Sequence, residues 1–154
     1  MKRTKLFTAA LFAATWLASG SAWAQHDGEH SYTNGICTIQ DCTDKYQPAE
    51  KVDGTYLLTN VGNVEWMSAK VGDGETEPGD GGNPYAICSY KLTADIDYAG
   101  LDVNAHKPIG TFDKKFLGVF DGDGYSIKNM KLDQPTRPKP NEDGIGFFGC
   151  VRVG

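Results

Sequence analysis

The sequence predicts a mainly β domain carrying one short helix. Three observations lead to that expectation. Nineteen glycines punctuate the chain, most of them in turns between short apolar stretches, which suits tight corners rather than a helical bundle. The apolar stretches themselves are strand-sized, as at Thr55-Tyr56-Leu57-Leu58-Thr59 and Phe116-Leu117-Gly118-Val119-Phe120, and Tyr, Phe, Thr and Val fit a pleated surface. One stretch has helical spacing instead, with Val64, Met67 and Val71 at i, i+3 and i+7 on a single helical face.

The chain opens with a different kind of segment. Lys2, Arg3 and Lys5 precede an apolar run from Leu6 to Leu17, and small residues then lead to Ala22-Trp23-Ala24. That order is the pattern of a cleavable signal peptide at 1–24. The apolar run is too short for a bilayer span, which takes about 20 residues, so no transmembrane span is expected after cleavage. No cysteine follows the run, which argues against a lipoprotein. The protein is therefore expected outside the cytoplasm: secreted, at the cell surface or in the periplasm. Cleavage removes three of 15 basic residues and none of the 20 acidic ones, leaving a net charge of −8. Such a chain has no general attraction to nucleic acid.

Residues 25–52 read as a polar, cysteine-bearing lead-in, with a turn at Asn34-Gly35. From Asp53 the character changes. Asp53-Gly54 marks a turn before the first strand. Asn63 is placed to cap the helix and Gly72 to end it, so the helix is expected over 64–71 as a cover for the end of a sheet. Residues 72–84 read as a flexible acidic loop. Ala86-Ile87-Cys88 and Lys91 to Tyr98 read as extended, and Pro108-Ile109-Gly110 as a bend. A strand at 116–120 is followed by the tight turn Asp121-Gly122-Asp123-Gly124 and by an imperfectly alternating segment from Tyr125 to Leu132. Turn chemistry alone also allows an antiparallel hairpin across Asp121–Gly124. Three prolines between 135 and 140 mark an exposed loop, and Gly144 to Val151 reads as a last apolar strand.

Several of these pieces form an ordered series. Ala94-Asp95-Ile96-Asp97 is followed by Pro108-Ile109-Gly110, then Phe116-x-Gly118-x-Phe120-Asp121-Gly122-Asp123-Gly124-Tyr125-x-Ile127-x-Asn129-Met130, then Gly146-Phe147-Phe148-Gly149. The series resembles the start of bacterial surface proteins with GLUG-type repeats, whose motif ends in Gly-Leu-Phe-Gly. The helix after Asp53-Gly54-Thr55-Tyr56 looks like the lead-in of those proteins. The stretch His30-x-Tyr32-x-x-Gly35-x-Cys37 is similar to a small cysteine-bearing segment found before it. The likeness spans 26–154 and is strongest at 94–149. It implies an incomplete right-handed parallel β-helix over 53–154 with one short capping helix. In that fold Phe120, Asp121, Gly122, Asp123, Gly124, Ile127, Gly146, Phe148 and Gly149 are structural motif positions. It also implies an adhesin-like role toward an extracellular glycan or a surface protein of a host or neighbouring cell.

Two departures qualify the likeness. Gly-Phe-Phe-Gly stands in place of Gly-Leu-Phe-Gly, and the motif occurs once. Solenoids repeat with periods of roughly 20–50 residues and need about three units. The chain is therefore expected to be the truncated N-terminal part of a longer surface protein.

Candidate chemistry is sparse. Asp95 with Asp97, and Asp121 with Asp123, lie two apart and would share a strand face. Paired carboxylates can split acid and base roles, but Asp in a glycine-rich corner is favoured for turn geometry alone. An EF-hand starting at Asp121 lacks its sixth-position Gly and twelfth-position Glu, having Ser126 and Leu132 there. His26, His30, Cys37 and Cys42 are all zinc-ligand types. In an oxidising compartment a Cys37–Cys42 disulfide is the preferred reading, with Cys88 and Cys150 as a second pair or as buried thiols. His106 reads as a surface loop residue. Tyr85, Tyr90, Tyr98, Phe112, Phe116 and Phe120 read as core, with a carbohydrate-stacking surface as the alternative. No catalytic activity and no cofactor are expected. The competing functional readings are the N-terminal fragment of a carbohydrate-active β-helix enzyme and a small carbohydrate-binding module.

Overall fold

The computed structural model describes residues 30–40, 42–79, 82–101, 105–132 and 144–152. The signal peptide read at 1–24, His26 and the proline-rich loop lie outside the described residues. The described chain is mainly sheet, with one α-helix and a 3₁₀ turn, and its sheets are open rather than closed.

The first element pair is a hairpin of β1 (Tyr32–Thr33) and β2 (Ile36–Cys37). Asn34 and Gly35 both have positive φ, 51° and 77°, the conformation a two-residue hairpin turn requires. A second hairpin joins β3 (Glu50–Val52) to β4 (Thr55–Leu58) across Asp53 and Gly54, again both at positive φ. The sheet thus begins before Asp53, inside the stretch read as lead-in.

Beyond β4 the further strands pair in parallel, while the loop before β5 carries an isolated antiparallel bridge between Thr76 and Pro84. β5 (Ser89–Leu92) lies on β4, with Tyr90 opposite Tyr56 and Leu92 opposite Leu58. β7 (Val119–Asp121) lies on β5, with Phe120 opposite Tyr90. β6 (Ile96–Asp97) carries β8 (Ile127–Lys128), with Ile127 opposite Ile96. Isolated parallel bridges continue the pattern at His106–Leu132, Ile109–Phe148 and Phe116–Val151. β7 and β8 therefore do not pair with each other. Asp121–Gly124 is a corner between two sheets, not a hairpin, and Asp123 and Gly124 take the positive φ it needs.

The helix α1 (Val61–Asp73) is longer than its apolar spacing predicts. Its cap is Asn60, whose side chain accepts from the Asn63 N–H at 2.9 Å. Asn63 instead sits inside the first turn. Its oxygen accepts from the Thr59 N–H, and its amide donates to the Gln47 and Pro48 carbonyls. Gly74, at φ 69°, ends the helix, and Gly72 is an ordinary helical residue. α1 covers the sheet through Val61, Val64, Met67 and Val71, all fully buried. Trp66 packs 5.2 Å from both Tyr56 and Tyr85.

Three other segments differ from expectation. Residues 85–87 form a 3₁₀ turn rather than a strand. In the loop before it, Glu77 is tied to Lys51 and to the Tyr56 hydroxyl, and the Glu77 N–H donates to Asn83. Residues 144–151 are no continuous strand. They pair at Phe148 and Val151 alone, because Phe147 and Phe148 both turn onto Phe120, at 5.2 and 5.4 Å. The strand at 116–120 is likewise broken at Gly118, where a Cβ would stand 2.1 Å from the Cys88 carbonyl oxygen.

The tightest approach in the fold joins the first hairpin to the helix. A Cβ on Gly62 would meet the Gly35 carbonyl oxygen at 1.8 Å, and the Gly62 N–H donates to Asn34 at 3.1 Å. Gly62→Ala is expected to lower stability by about 1–3 kcal/mol, the usual range for forced overpacking. Gly72→Ala, in open space on the same helix, is expected to raise it by about 0.5–1 kcal/mol. Paired urea melts of the two variants check both signs.

Candidate functional site

The hairpin β1–β2 gathers three of the four zinc-type residues singled out in the sequence. β2 carries Cys37, whose N–H donates to Lys45 at 2.8 Å. Thr38 donates through both its N–H and its hydroxyl to Ser31, which fixes the start of β1 beside the end of β2. His30 then lies with Nδ1 3.2 Å from Cys42 Sγ and 3.9 Å from Cys37 Sγ. The three donor atoms lie within 4.8 Å of one another. On the other side of the ring, His30 Nε2 stands 3.6 Å from Asp44 Oδ2. The His30 ring stacks on Tyr32, centroids 5.6 Å apart.

The two thiols differ. Burial raises the Cys37 thiol, but hydrogen bonds from Cys42 and His30 outweigh this and bring it below the ordinary value. Cys42 is raised, first by its hydrogen bond with Cys37 and then by burial. Of the two, Cys37 is therefore the readier to lose its proton. All four cysteines are free thiols in this structure. Cys88 is buried with its thiol directed at the Pro84 carbonyl, and Cys150 is half-buried.

The aspartates occupy corners and hold neighbouring strands together. Asp95 accepts from the Ser126 N–H and hydroxyl and from Lys128, at 2.9–3.0 Å. The Ser126 backbone bond, reinforced by Lys128, lowers its pKa to about 2. Asp97 accepts from the Asn129 amide at 2.7 Å, which lowers its pKa as well. Asp121 accepts from the Asp123 N–H within the corner, and Asp123 pairs with Lys91 at 2.9 Å. Asn129 lies on the outside of the fold. The remaining motif positions pack: Phe120 on the Phe147–Phe148 pair, and Ile127 over Ile96. Gly149 sits where a Cβ would be 2.5 Å from the Gly110 carbonyl oxygen.

His106 is not a surface residue. It is 0% exposed, with Nδ1 2.8 Å from Glu65 Oε1, Nε2 3.3 Å from the Phe147 carbonyl, and its ring stacked on Phe147. The Tyr98 hydroxyl donates to the same Glu65 oxygen at 2.7 Å. A cleft of about 530 Å³ opens beside Glu65, between Ser68 of α1 and the segment Ala105–Pro108, where the Ser68 hydroxyl donates to the Lys107 carbonyl. This cluster escaped sequence reasoning, although Glu65 and Ser68 share the buried face of Val61, a readable sign of polar partners there. Tyr85, Tyr90, Tyr98 and Phe116 are core, as expected, while Phe112 is exposed beneath Lys115.

Over 70 residues the chain is 36% identical to Halomucin of Haloquadratum walsbyi, a match covering 40% of this chain and 1% of that protein's length. No family model and no solved structure matches the chain. Among the described residues no helix is long and apolar enough to cross a membrane.

Burial is the first cause that raises the phenols of Tyr56, Tyr90 and Tyr98, with the Glu77 bond adding at Tyr56 and the Glu65 charge at Tyr98. An unfolded tyrosine ionises near about pH 10. The stability tied to these raised groups is therefore fully present below that pH and is lost as pH rises through the folded values. In an alkaline titration, tyrosinate absorbance from these three is expected to appear together with loss of the β circular-dichroism signal. Tyr98→Phe should remove one tyrosine from that late step.

Proposed function

We propose that this chain is an exported structural and interaction protein of the cell surface or its surroundings, built as coils of a right-handed parallel β-helix and without a catalytic step of its own. The observation that carries the reading is the run of parallel pairings at coil-sized intervals. Thr55 pairs with Ser89, and Ser89 with Val119, 30 residues on; Ile96 pairs with Ile127, 31 residues on. Each interval falls within the roughly 20–50-residue period of a solenoid. The crossover from β4 through α1 to β5 is of the strand–helix–strand type, which is right-handed in about 98% of cases.

Other observations support the non-catalytic part. The four aspartates of the two candidate acid–base pairs are engaged in corner and strand-to-strand contacts. The signal-peptide pattern at 1–24 and the partial likeness to Halomucin support an extracellular setting. The partner in this reading is an extracellular glycan or a surface protein of another cell.

Expression with the native N-terminus in a bacterial host tests the export step. The expected product is found outside the cytoplasm and begins at Gln25. Retention in the cytoplasm with residues 1–24 attached would overturn the reading. So would release of reducing or unsaturated sugar ends from acidic polysaccharides by the purified mature chain.

A further inference from the structure

We propose that His30, Cys37 and Cys42 form a binding site for a thiolate-seeking divalent cation, zinc before others, which fastens the β1–β2 hairpin. The distances fit such an ion. With bonds of about 2.3 Å to sulfur and 2.0–2.1 Å to nitrogen, a tetrahedral zinc places nitrogen and sulfur about 3.6 Å apart. The two His30 Nδ1–Sγ distances, 3.2 and 3.9 Å, straddle that value. Both nitrogen–sulfur separations therefore reach the tetrahedral value by movements of a few tenths of an ångström, and all three donor atoms already lie within 4.8 Å of one another.

Asp44 supplies an independent sign. A metal-bound histidine characteristically offers its other ring nitrogen to a carboxylate, which fixes the tautomer and turns the ring toward the ion. His30 approaches that arrangement, with Nδ1 toward the sulfurs and Nε2 facing the Asp44 carboxylate at 3.6 Å, an ion-pair distance a few tenths of an ångström beyond a hydrogen bond. The Tyr32 ring stacked on His30 restricts its rotation further. The donor residues are half-buried rather than sealed, so an ion can enter. The cation replaces the thiol protons: each cysteine binds as thiolate and its proton passes to solvent. Two thiolates and one imidazole leave one tetrahedral position for a further donor.

The site does more than hold an ion. Cys37 and Cys42 bracket the turn after β2, and the tip of the same hairpin packs against α1 at Gly35 and Gly62. A cation held by residues 30, 37 and 42 closes both ends of this short segment at once, and so holds the surface presented to the helix. A Cys37–Cys42 disulfide would close only the turn.

Cobalt titration of the full mature chain under reducing, chelator-free conditions tests the proposal. One equivalent of Co²⁺ is expected to bind with the intense thiolate-to-cobalt absorption of a tetrahedral site, and Zn²⁺ to displace it. Cys37→Ser and Cys42→Ser should abolish that absorption, and Cys88→Ser should leave it intact. Asp44→Asn, an exposed change that spares the fold, should weaken cobalt binding about 10–100-fold. Retention of the absorption in Cys37→Ser, or full affinity in Asp44→Asn, would overturn the site. So would a Cys37–Cys42 disulfide mapped in the protein exported by its own cell.

Discussion

Parallel, in-register stacking is the constraint on which this structure depends. In such a stack each side chain faces its counterpart one strand away, about 4.8 Å off, so like must pack on like. The chain meets that demand with Tyr56 under Tyr90 under Phe120, Leu58 under Leu92, and Ile96 under Ile127. The Tyr56 and Tyr90 rings stack at 5.4 Å. Register and core are thus one fact seen twice, because slipping by a single residue would turn every one of these side chains outward. The corners follow from the same demand. Each pass must bend at the place where the pass below bends, and the polar groups at the bends bond from pass to pass, as Asp95 does with Ser126 and Asp97 with Asn129.

This explains what could be read in the sequence and what could not. Strand content, the helix and the turns at Asn34-Gly35, Asp53-Gly54 and Asp121–Gly124 are local signals, set by side-chain type and by positive φ. Pairing is not local. The residues around Asp121–Gly124 satisfy a hairpin as well as a corner, and only the partners 30 residues away decide between them. The broken strands have the same origin. Gly118 reads as part of a strand, yet it is glycine because the Cys88 carbonyl needs its space. Phe147 and Phe148 read as a strand's apolar run, yet both are drawn onto Phe120 from a segment that pairs only at isolated points. At the helix the apolar spacing locates the buried face correctly but cannot choose between Asn60 and Asn63 as cap. The choice rests on Gln47 and Pro48, which occupy the Asn63 amide.

The buried polar groups show a second kind of illegibility. A histidine followed by Lys-Pro in a loop carries no sign of burial, and His106 owes its place to Glu65 on the helix and to Phe147 from the far end of the chain. Buried polar groups are tolerable when each has a partner, and among the described residues no buried side-chain nitrogen or oxygen lacks one. Glu65 alone answers both Tyr98 and His106. Those two residues belong to successive segments of the stack, so one helical carboxylate sets the helix against both. Specificity of docking is the natural role for such a cluster, since apolar contacts between helix and sheet tolerate sliding more readily than a shared hydrogen-bond acceptor does.

A stack of parallel strands has a further need, which is a defined beginning. Each strand is templated by the one beneath it, but β4 has no parallel strand beneath it. Its other neighbour is β3, joined to it by a two-residue turn and antiparallel, a pairing that local chain closure makes fast. The helix then covers β4, and the first hairpin presses against the N-terminal turn of that helix through Gly35 and Gly62. The β3–β4 pairing that starts the stack is therefore local in sequence, whereas the parallel pairings above it are long-range and carry the larger loop-closure cost. The cysteine hairpin stands at the base of that order. Its tip rests on the helix that covers β4, so a cation holding His30, Cys37 and Cys42 would act on the segment that braces the helix over the first strand of the stack.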